Sequence, residues 1–255
     1  MSGPNASPPT LAEHLAAEPF TLALGSGFFG FFAHLGMVQA LAARGLEPRR
    51  LVGVSAGAIV GAAWASGRAL AEVEKILCSL ERRDFWDPSF GLGLLRGRRF
   101  RRLLEETLAA QSFEALRIPL AVTAVRPFTA GVTVLDSGDL ASAVHASCAV
   151  PVMFQPVRRE GVLLWDGGVR ERSGEAALTP GERTLFHPLA SRSPWRKEGS
   201  PAMDVPGGQN TLALVIEGLP RLGPFKLAEG PTAIAHARAA TERALDLPAA
   251  PERHA

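Results

Sequence analysis

Short apolar runs ended by glycine alternate with longer runs of helical period through the first part of the chain. Residues 20–24 read as a buried strand stopped by Gly25. Residues 33–44 read as a helix with Leu35, Val38 and Leu41 on one face and Gly45 as its stop. Residues 51–54 form a second short apolar run. Residues 56–65 continue as a helix with no polar face, which must lie buried against the sheet. Strand, helix, strand, helix in this order predicts a three-layer α/β fold, a mostly parallel central sheet with helices on both faces.

Further along, residues 68–83 are amphipathic and helical, and residues 84–95 are irregular. Residues 99–110 form a helix with Phe100, Leu103, Leu104 and Leu108 on one face. Strands are expected at residues 118–125 and 131–135, followed by a short helix at residues 139–147 capped by Ser137. Residues 163–165, 184–189 and 211–217 are further strands, and residues 232–245 a late helix. Residues 191–209 are rich in Gly, Pro and Ser and read as a mobile loop. Residues 1–19 form a flexible Ser/Pro/Asn/Ala arm ending in a short helix at residues 11–18. No repeat or linker divides the rest, so residues 20–255 are expected to be one domain.

Composition supports this and narrows the partners. With 255 residues, 47% hydrophobic and 20% charged, the chain holds enough apolar material for one large core. A net charge of +2, from 27 basic and 25 acidic residues, gives no general case for a nucleic-acid partner. The two cysteines, Cys78 and Cys148, lack metal-ligand spacing; two reduced, buried thiols, no metal and a reducing, cytoplasmic compartment are expected. Residues 1–9 lack the basic and apolar regions of a secretory signal. Residues 20–43 carry no charge and are long enough to span a membrane. Gly25, Gly27, Gly30 and Gly36, with His34 and Gln39, favour a strand, turn and helix instead.

Three glycine-bearing segments carry candidate chemistry. Gly53-Val54-Ser55-Ala56-Gly57 lies between an apolar strand and an apolar helix. A serine nucleophile needs such a tight turn to project its hydroxyl, and Gly53 and Gly57 relieve the crowding. The following helix also aims its amide dipole at a developing oxyanion. The pattern is weakly specific by itself in a chain with 26 glycines. Gly25-Ser26-Gly27-Phe28-Phe29-Gly30, also between strand and helix, exposes backbone amides able to hold an anion or oxyanion. It equally fits a dinucleotide-binding turn, with Glu47 about twenty residues on as the ribose contact; the Phe28-Phe29 pair suits an apolar partner better than a pyrophosphate. Asp166-Gly167-Gly168 puts a carboxylate at the end of an apolar run, where active sites of open α/β sheets collect; a simple turn aspartate is the competing reading.

In this order the three segments resemble the patatin-like phospholipase family, from about Leu22 to Gly168. Asp136-Ser137-Gly138-Asp139 and Ala146-Ser147-Cys148-Ala149-Val150-Pro151 look like connectors of the same family. The resemblance implies a patatin-like three-layer fold and a serine acyl hydrolase without cofactor or metal. It implies Ser55 as nucleophile and Asp166 as base, steadied by Gly167 and Gly168. It also implies an oxyanion hole at Gly25, Ser26, Gly27, Phe28 and Gly30, and a phospholipid or other lipid ester as substrate. Two positions depart from the family: the arginine or lysine late in the glycine loop is absent, and Val169-Arg170-Glu171-Arg172 replaces an asparagine-rich continuation.

A Ser–Asp dyad asks a carboxylate, with a reference pKa of about 3.9, to act as a base, so its surroundings must strengthen it. The mechanistic rival is a triad through His187, which follows Asp166 in the chain. Two non-hydrolase readings remain at this point: a catalytically silent lipid-binding or scaffold protein, and a dinucleotide-binding protein. The densest basic run, Arg96, Arg98, Arg99, Arg101 and Arg102, is either a solvated helix face offset by Glu105 and Glu106 or a transient contact with anionic membrane, helped by Trp86, Phe90 and Leu94-Leu95.

Overall fold

The computed structural model describes residues 8–127, 129, 131–189 and 210–254; the loop expected at residues 191–209 lies outside them. Thr10 opens the first helix, α1 (Leu11–Ala17), through a capping box. Its hydroxyl accepts from Glu13 N at 3.2 Å, and the Glu13 carboxylate accepts from Thr10 N at 2.8 Å. Leu11 and Leu15 are buried and Leu11 N donates to Leu247 O, so this part of the expected arm is docked on the body of the protein.

Strand β1 (Thr21–Leu24), helix α2 (Phe31–Ala43), strand β2 (Arg50–Val54) and helix α3 (Ala56–Ala65) follow in the predicted rhythm. No helix among the described residues is long and apolar enough to cross a membrane. The segment expected as one helix at residues 68–83 is two, α4 (Leu70–Cys78) and α5 (Arg82–Phe85). Between them Leu80 turns into the core, and the Asp84 carboxylate accepts from Glu81 N at 2.7 Å to start the second. Residues 84–95, expected to be irregular, contain strand β3 (Gly93–Leu95), which leads into α6 (Arg98–Thr107).

Strands β4 (Leu120–Val125) and β5 (Val132–Leu135) form an antiparallel pair. Helix α7 (Leu140–Ser147) is capped by Asp139, whose carboxylate accepts from Ser142 N at 2.8 Å. Ser137, the expected cap, lies two residues too early, and its carbonyl accepts from the Arg159 guanidinium. Three short strands follow, β6 (Val152–Phe154), β7 (Val157–Arg159) and β8 (Val162–Asp166). Strands β9 (Thr184–His187) and β10 (Thr211–Val215), helix α8 (Gly230–Leu245) and strand β11 (Glu252–His254) complete the order.

Among the described residues nine strands form one sheet in the order β11-β10-β9-β1-β2-β4-β8-β7, with β5 also on β4. Pairings from β11 to β4 are parallel, and β5, β8 and β7 join antiparallel. Strands β3 and β6 make a separate parallel pair. Alternation along the strands sets the layers. Leu22, Leu24, Leu51, Leu120, Val122, Leu185 and Leu214 face a large core with residues of α2, α3 and α8. Ala23, Val52, Ala121, Phe186 and Ala213 face a smaller cluster closed by the 3-10 helix Glu175–Ala177 and by Leu178. The sheet is therefore flanked on both sides, as the sequence predicts.

Helices α2 and α8 cross with their backbones nearly touching, because Gly36 has no side chain: a Cβ there would lie 2.2 Å from Ile234 O. Gly36→Ala is expected to destabilise the protein by about 1–3 kcal/mol in urea unfolding, the usual range for overpacking. An unchanged midpoint would mean that the two helices are free to move apart.

Candidate active site

Strand β2 ends at Val54, opposite Thr123 of β4. The next residue, Ser55, has φ 53° and ψ −114°, a conformation an L-residue holds only under constraint, at about 1–3 kcal/mol. Its neighbours supply the constraint. Ser55 N donates to Ser147 Oγ at 2.9 Å, and Cys148 Sγ donates to Ser55 O at 3.2 Å. Burial and the nearby Asp166 carboxylate push the Cys148 thiol pKa well above its usual value, so it stays a neutral donor. The glycines of the elbow are steric requirements. A Cβ at Gly53 would lie 2.7 Å from Ala58 Cα, and one at Gly57 2.1 Å from Leu24 O.

The carboxylate arrives on the same edge of β4. Strand β5 occupies one edge of β4 opposite residues 122–125, and β8 pairs with the other, Asp166 opposite Ala124. Asp166 thus stands one register step beyond the place where Val54 leaves the edge. Ser55 Oγ donates to Asp166 Oδ2 at 2.6 Å, and Asp166 Oδ1 accepts from Gly168 N at 2.7 Å. Ser55 is 9% and Asp166 3% exposed, so the bond lies almost out of water. Asp166 N donates to Ala149 O at 2.9 Å. Gly167 and Gly168 are required here as well. A Cβ on the first would lie 2.5 Å from Thr123 O, and one on the second 2.0 Å from Ser26 Oγ.

The glycine loop packs on the ends of β9 and α2. Gly25 N donates to His187 O at 3.1 Å, Ser26 N to Arg172 O at 2.8 Å and Gly30 N to Gly27 O at 2.8 Å. Those three amides are committed to the fold. Gly27, Phe28 and Phe29 offer amides with no acceptor among the described residues, as does Ala56 at the start of α3. The donors expected across the whole loop are thereby narrowed to its tip. Leu189 fills the space under the loop, where a Cβ at Gly27 or Gly30 would approach Leu189 Cδ1 to 2.4 or 2.0 Å. Glu47, the ribose contact of the dinucleotide reading, is paired with Arg117 at 2.7 Å.

Arg172 Nη2 donates to Ser26 O at 2.9 Å and to Leu189 O at 3.0 Å. The loop has no arginine or lysine of its own, and a guanidinium reaches it from the segment that departs from the asparagine-rich pattern. The two departures meet at one residue, which nothing in the sequence spacing indicates.

His187 is not part of a triad. It is fully buried and its Nδ1 lies 2.8 Å from His34 Nδ1, while His34 Nε2 lies 2.8 Å from Gly25 O. With Nε2–H donating to the carbonyl, His34 Nδ1 is left as acceptor for the Nδ1–H of His187, so the pair is neutral. Burial lowers the His34 pKa from 6.5 to about 4 and takes His187 well below its usual value, helped by His34 itself. Ser55 meets the carboxylate directly instead.

Beside Ser55 an apolar cavity of about 70 Å³ is walled by Phe28, Phe31, Phe85, Phe100, Met153 and Phe154, among others. Among the described residues no group of three His, Cys, Asp or Glu side chains could hold a metal ion.

Residues 22–178 match the patatin-like phospholipase family model, more than half of the chain. An uncharacterised NTE family protein of Mycobacterium tuberculosis is 35% identical over 152 residues, covering 58% of this chain and 42% of that protein. Neuropathy target esterase sws of Drosophila melanogaster is 30% identical over 168 residues, 62% of this chain and 12% of the fly protein. The chain thus spans less than half the length of these relatives. VipD from Legionella pneumophila shares the fold, with a TM-score of 0.61 at 15% identity over 90% of this chain and 67% of that one.

His34 and His145 both hold their protons only below about pH 4 in the folded protein, against 6.5 for a free histidine. Between those values the unfolded chain binds more protons, so the unfolding free energy falls as the pH falls, by roughly 1.4 kcal/mol per unit for each such histidine. Urea unfolding at pH 7 and pH 5 should show this loss. His34→Gln, which keeps a donor for Gly25 O, should show a smaller one. Equal stability at both pH values would contradict the neutral buried pair.

Proposed function

The chain belongs to the patatin-like phospholipase family, and from that premise we propose that it is a lipid acyl hydrolase with Ser55 as nucleophile and Asp166 as base. The observation that carries the reading is the 2.6 Å bond between Ser55 Oγ and Asp166 Oδ2, a nucleophile and a base within proton-transfer reach. Asp166 takes the hydroxyl proton as Oγ attacks the ester carbonyl. The tetrahedral oxyanion is held by the amides of Gly27 and Phe28 together with that of Ala56, whose helix dipole adds to the field. Collapse transfers the Asp166 proton to the departing alcohol and leaves the acyl group on Ser55. A water molecule then attacks this ester with Asp166 again as base, which releases the fatty acid and restores the serine.

The substrate proposed is a membrane phospholipid or another lipid ester, with its acyl chain in the cavity behind Ser55. At about 70 Å³ that cavity is far below the ~300–1,000 Å³ of most ligand pockets. Acyl binding therefore requires the wall to give way, and Phe28 is the wall residue most exposed for doing so. The same reading takes residues 20–255 as a single catalytic domain with α1 docked on it, supported by one core cluster that runs from Leu11 to Leu245.

Hydrolysis of a short-chain p-nitrophenyl ester by the wild type, Ser55→Ala and Asp166→Asn tests the proposal. Each substitution is expected to lower kcat by at least about a thousandfold, because the two groups act as a unit. Equal rates in all three proteins would remove both residues from catalysis, and the absence of hydrolysis by the wild type would leave a lipid-binding protein without turnover.

A further inference from the structure

The turn before α6 presents large apolar side chains to solvent, with nothing among the described residues to cover them. Phe90 is fully exposed, and Leu92, Leu94 and Val152 are exposed by 58%, 51% and 76%. They form one tip, because β3 pairs with β6 so that Gly93 stands opposite Val152. The tip is braced. Ser89 N donates to Leu94 O at 2.8 Å, and the Gln155 side chain accepts from Leu92 N at 3.0 Å and donates to Gly93 O at 2.6 Å. Val152 is also held at φ 70°, an outlying conformation for a β-branched residue. A rigid, strained segment that displays apolar surface points to an interaction site.

Basic residues follow this tip directly in the chain, from Arg96 into α6. Asp87 uses its carboxylate on the amides of Gly97, Arg98 and Arg99 at 2.8–3.2 Å, starting α6 rather than neutralising a guanidinium. Arg101 is paired with Glu105 and Asp139, and Arg83 with Glu81. Arg96, Arg98 and Arg102 are exposed, and no ion pair engages them among the described residues. Arg98 and Arg102 stand one helical turn apart on α6.

We infer that residues 90–94 and Val152 insert into an anionic lipid surface, with Arg96, Arg98 and Arg102 on its headgroups. Exposed apolar side chains next in the chain to uncommitted arginines match the chemistry of an acidic bilayer interface. The placement also connects to the cavity: β6 carries Val152 at the tip and Met153 and Phe154 in the wall beside Ser55. A lipid drawn from the bilayer at this point enters the cavity along one strand. That last link rests on the proposed hydrolase reading; the docking itself does not.

The test is sedimentation of the Ser55→Ala protein, which leaves the vesicles intact, with vesicles of phosphatidylcholine alone or mixed equally with phosphatidylglycerol. Binding is expected to the anionic vesicles and to weaken as salt rises. Phe90→Ser with Leu94→Ser should lower the partition at least tenfold, and Arg98→Gln or Arg102→Gln about fivefold each. On the Ser55 background the Phe90→Ser, Leu94→Ser protein should keep its rate on a soluble ester, which shows that it is folded. Binding without hydrolysis of any ester by the wild type would sustain the docking surface and remove the hydrolase reading. Hydrolysis of the soluble ester without vesicle binding would do the reverse. Unchanged binding by the Phe90→Ser, Leu94→Ser protein would overturn the docking surface. So would a dimer in sedimentation velocity that this double substitution abolishes, because the tip would then cover a second copy of the chain.

Discussion

One edge of β4 serves two strands in succession. β2 pairs with it as far as Thr123 and then turns sharply at Ser55, while β8 approaches from the opposite direction and takes the edge from Ala124 onward. Since β5 covers the other edge, no third position is available, and the last residue of β8 must come to rest beside the first residue of the turn. The hydroxyl and the carboxylate are 111 residues apart in the chain yet 2.6 Å apart in space. Their meeting is a consequence of sheet register more than of any attraction between the two side chains.

The surroundings keep that register under tension. The end of α7 grips both partners: Ser147 accepts from Ser55 N, Cys148 donates to Ser55 O, and Ala149 accepts from Asp166 N. A third layer supports the glycine loop, where His34, His187 and Arg172 engage the backbone of Gly25 and Ser26. These groups leave the amides at the loop's tip without an acceptor, directed by a backbone that has few other conformations open to it. Preorganised donors of this kind need no rearrangement when charge develops. The absence of a basic residue within the loop fits the same logic, because Arg172 already binds the Ser26 carbonyl oxygen from outside.

Much of this was legible from residue pattern. Glycine at positions 53, 57, 167 and 168 marks places where a Cβ has no room, and the alternation of apolar strands and helices places those turns on one sheet. What escaped the pattern depends on contacts between distant parts of the chain. β6, β7 and β11 are three residues each, too short to carry a period, and exist because a neighbouring backbone pairs with them. Asp139 outcompetes Ser137 as the helix cap because the bond to Ser142 N is set by one register of the turn. The contact of Arg172 with Ser26 spans 146 positions, and that of His34 with His187 spans 153. No spacing rule reaches that far, so the rival triad through His187 could not be told from sequence order, whereas its partner His34 places it beneath the loop.

The central claim is that the buried carboxylate activates Ser55. Labelling with a fluorophosphonate probe followed by peptide mass spectrometry tests it most directly, since the probe reacts only with an activated nucleophile and records its position. The adduct should fall on Ser55 in the wild type and form far more slowly in Asp166→Asn. A label on another residue, or an unchanged labelling rate in Asp166→Asn, would contradict the account.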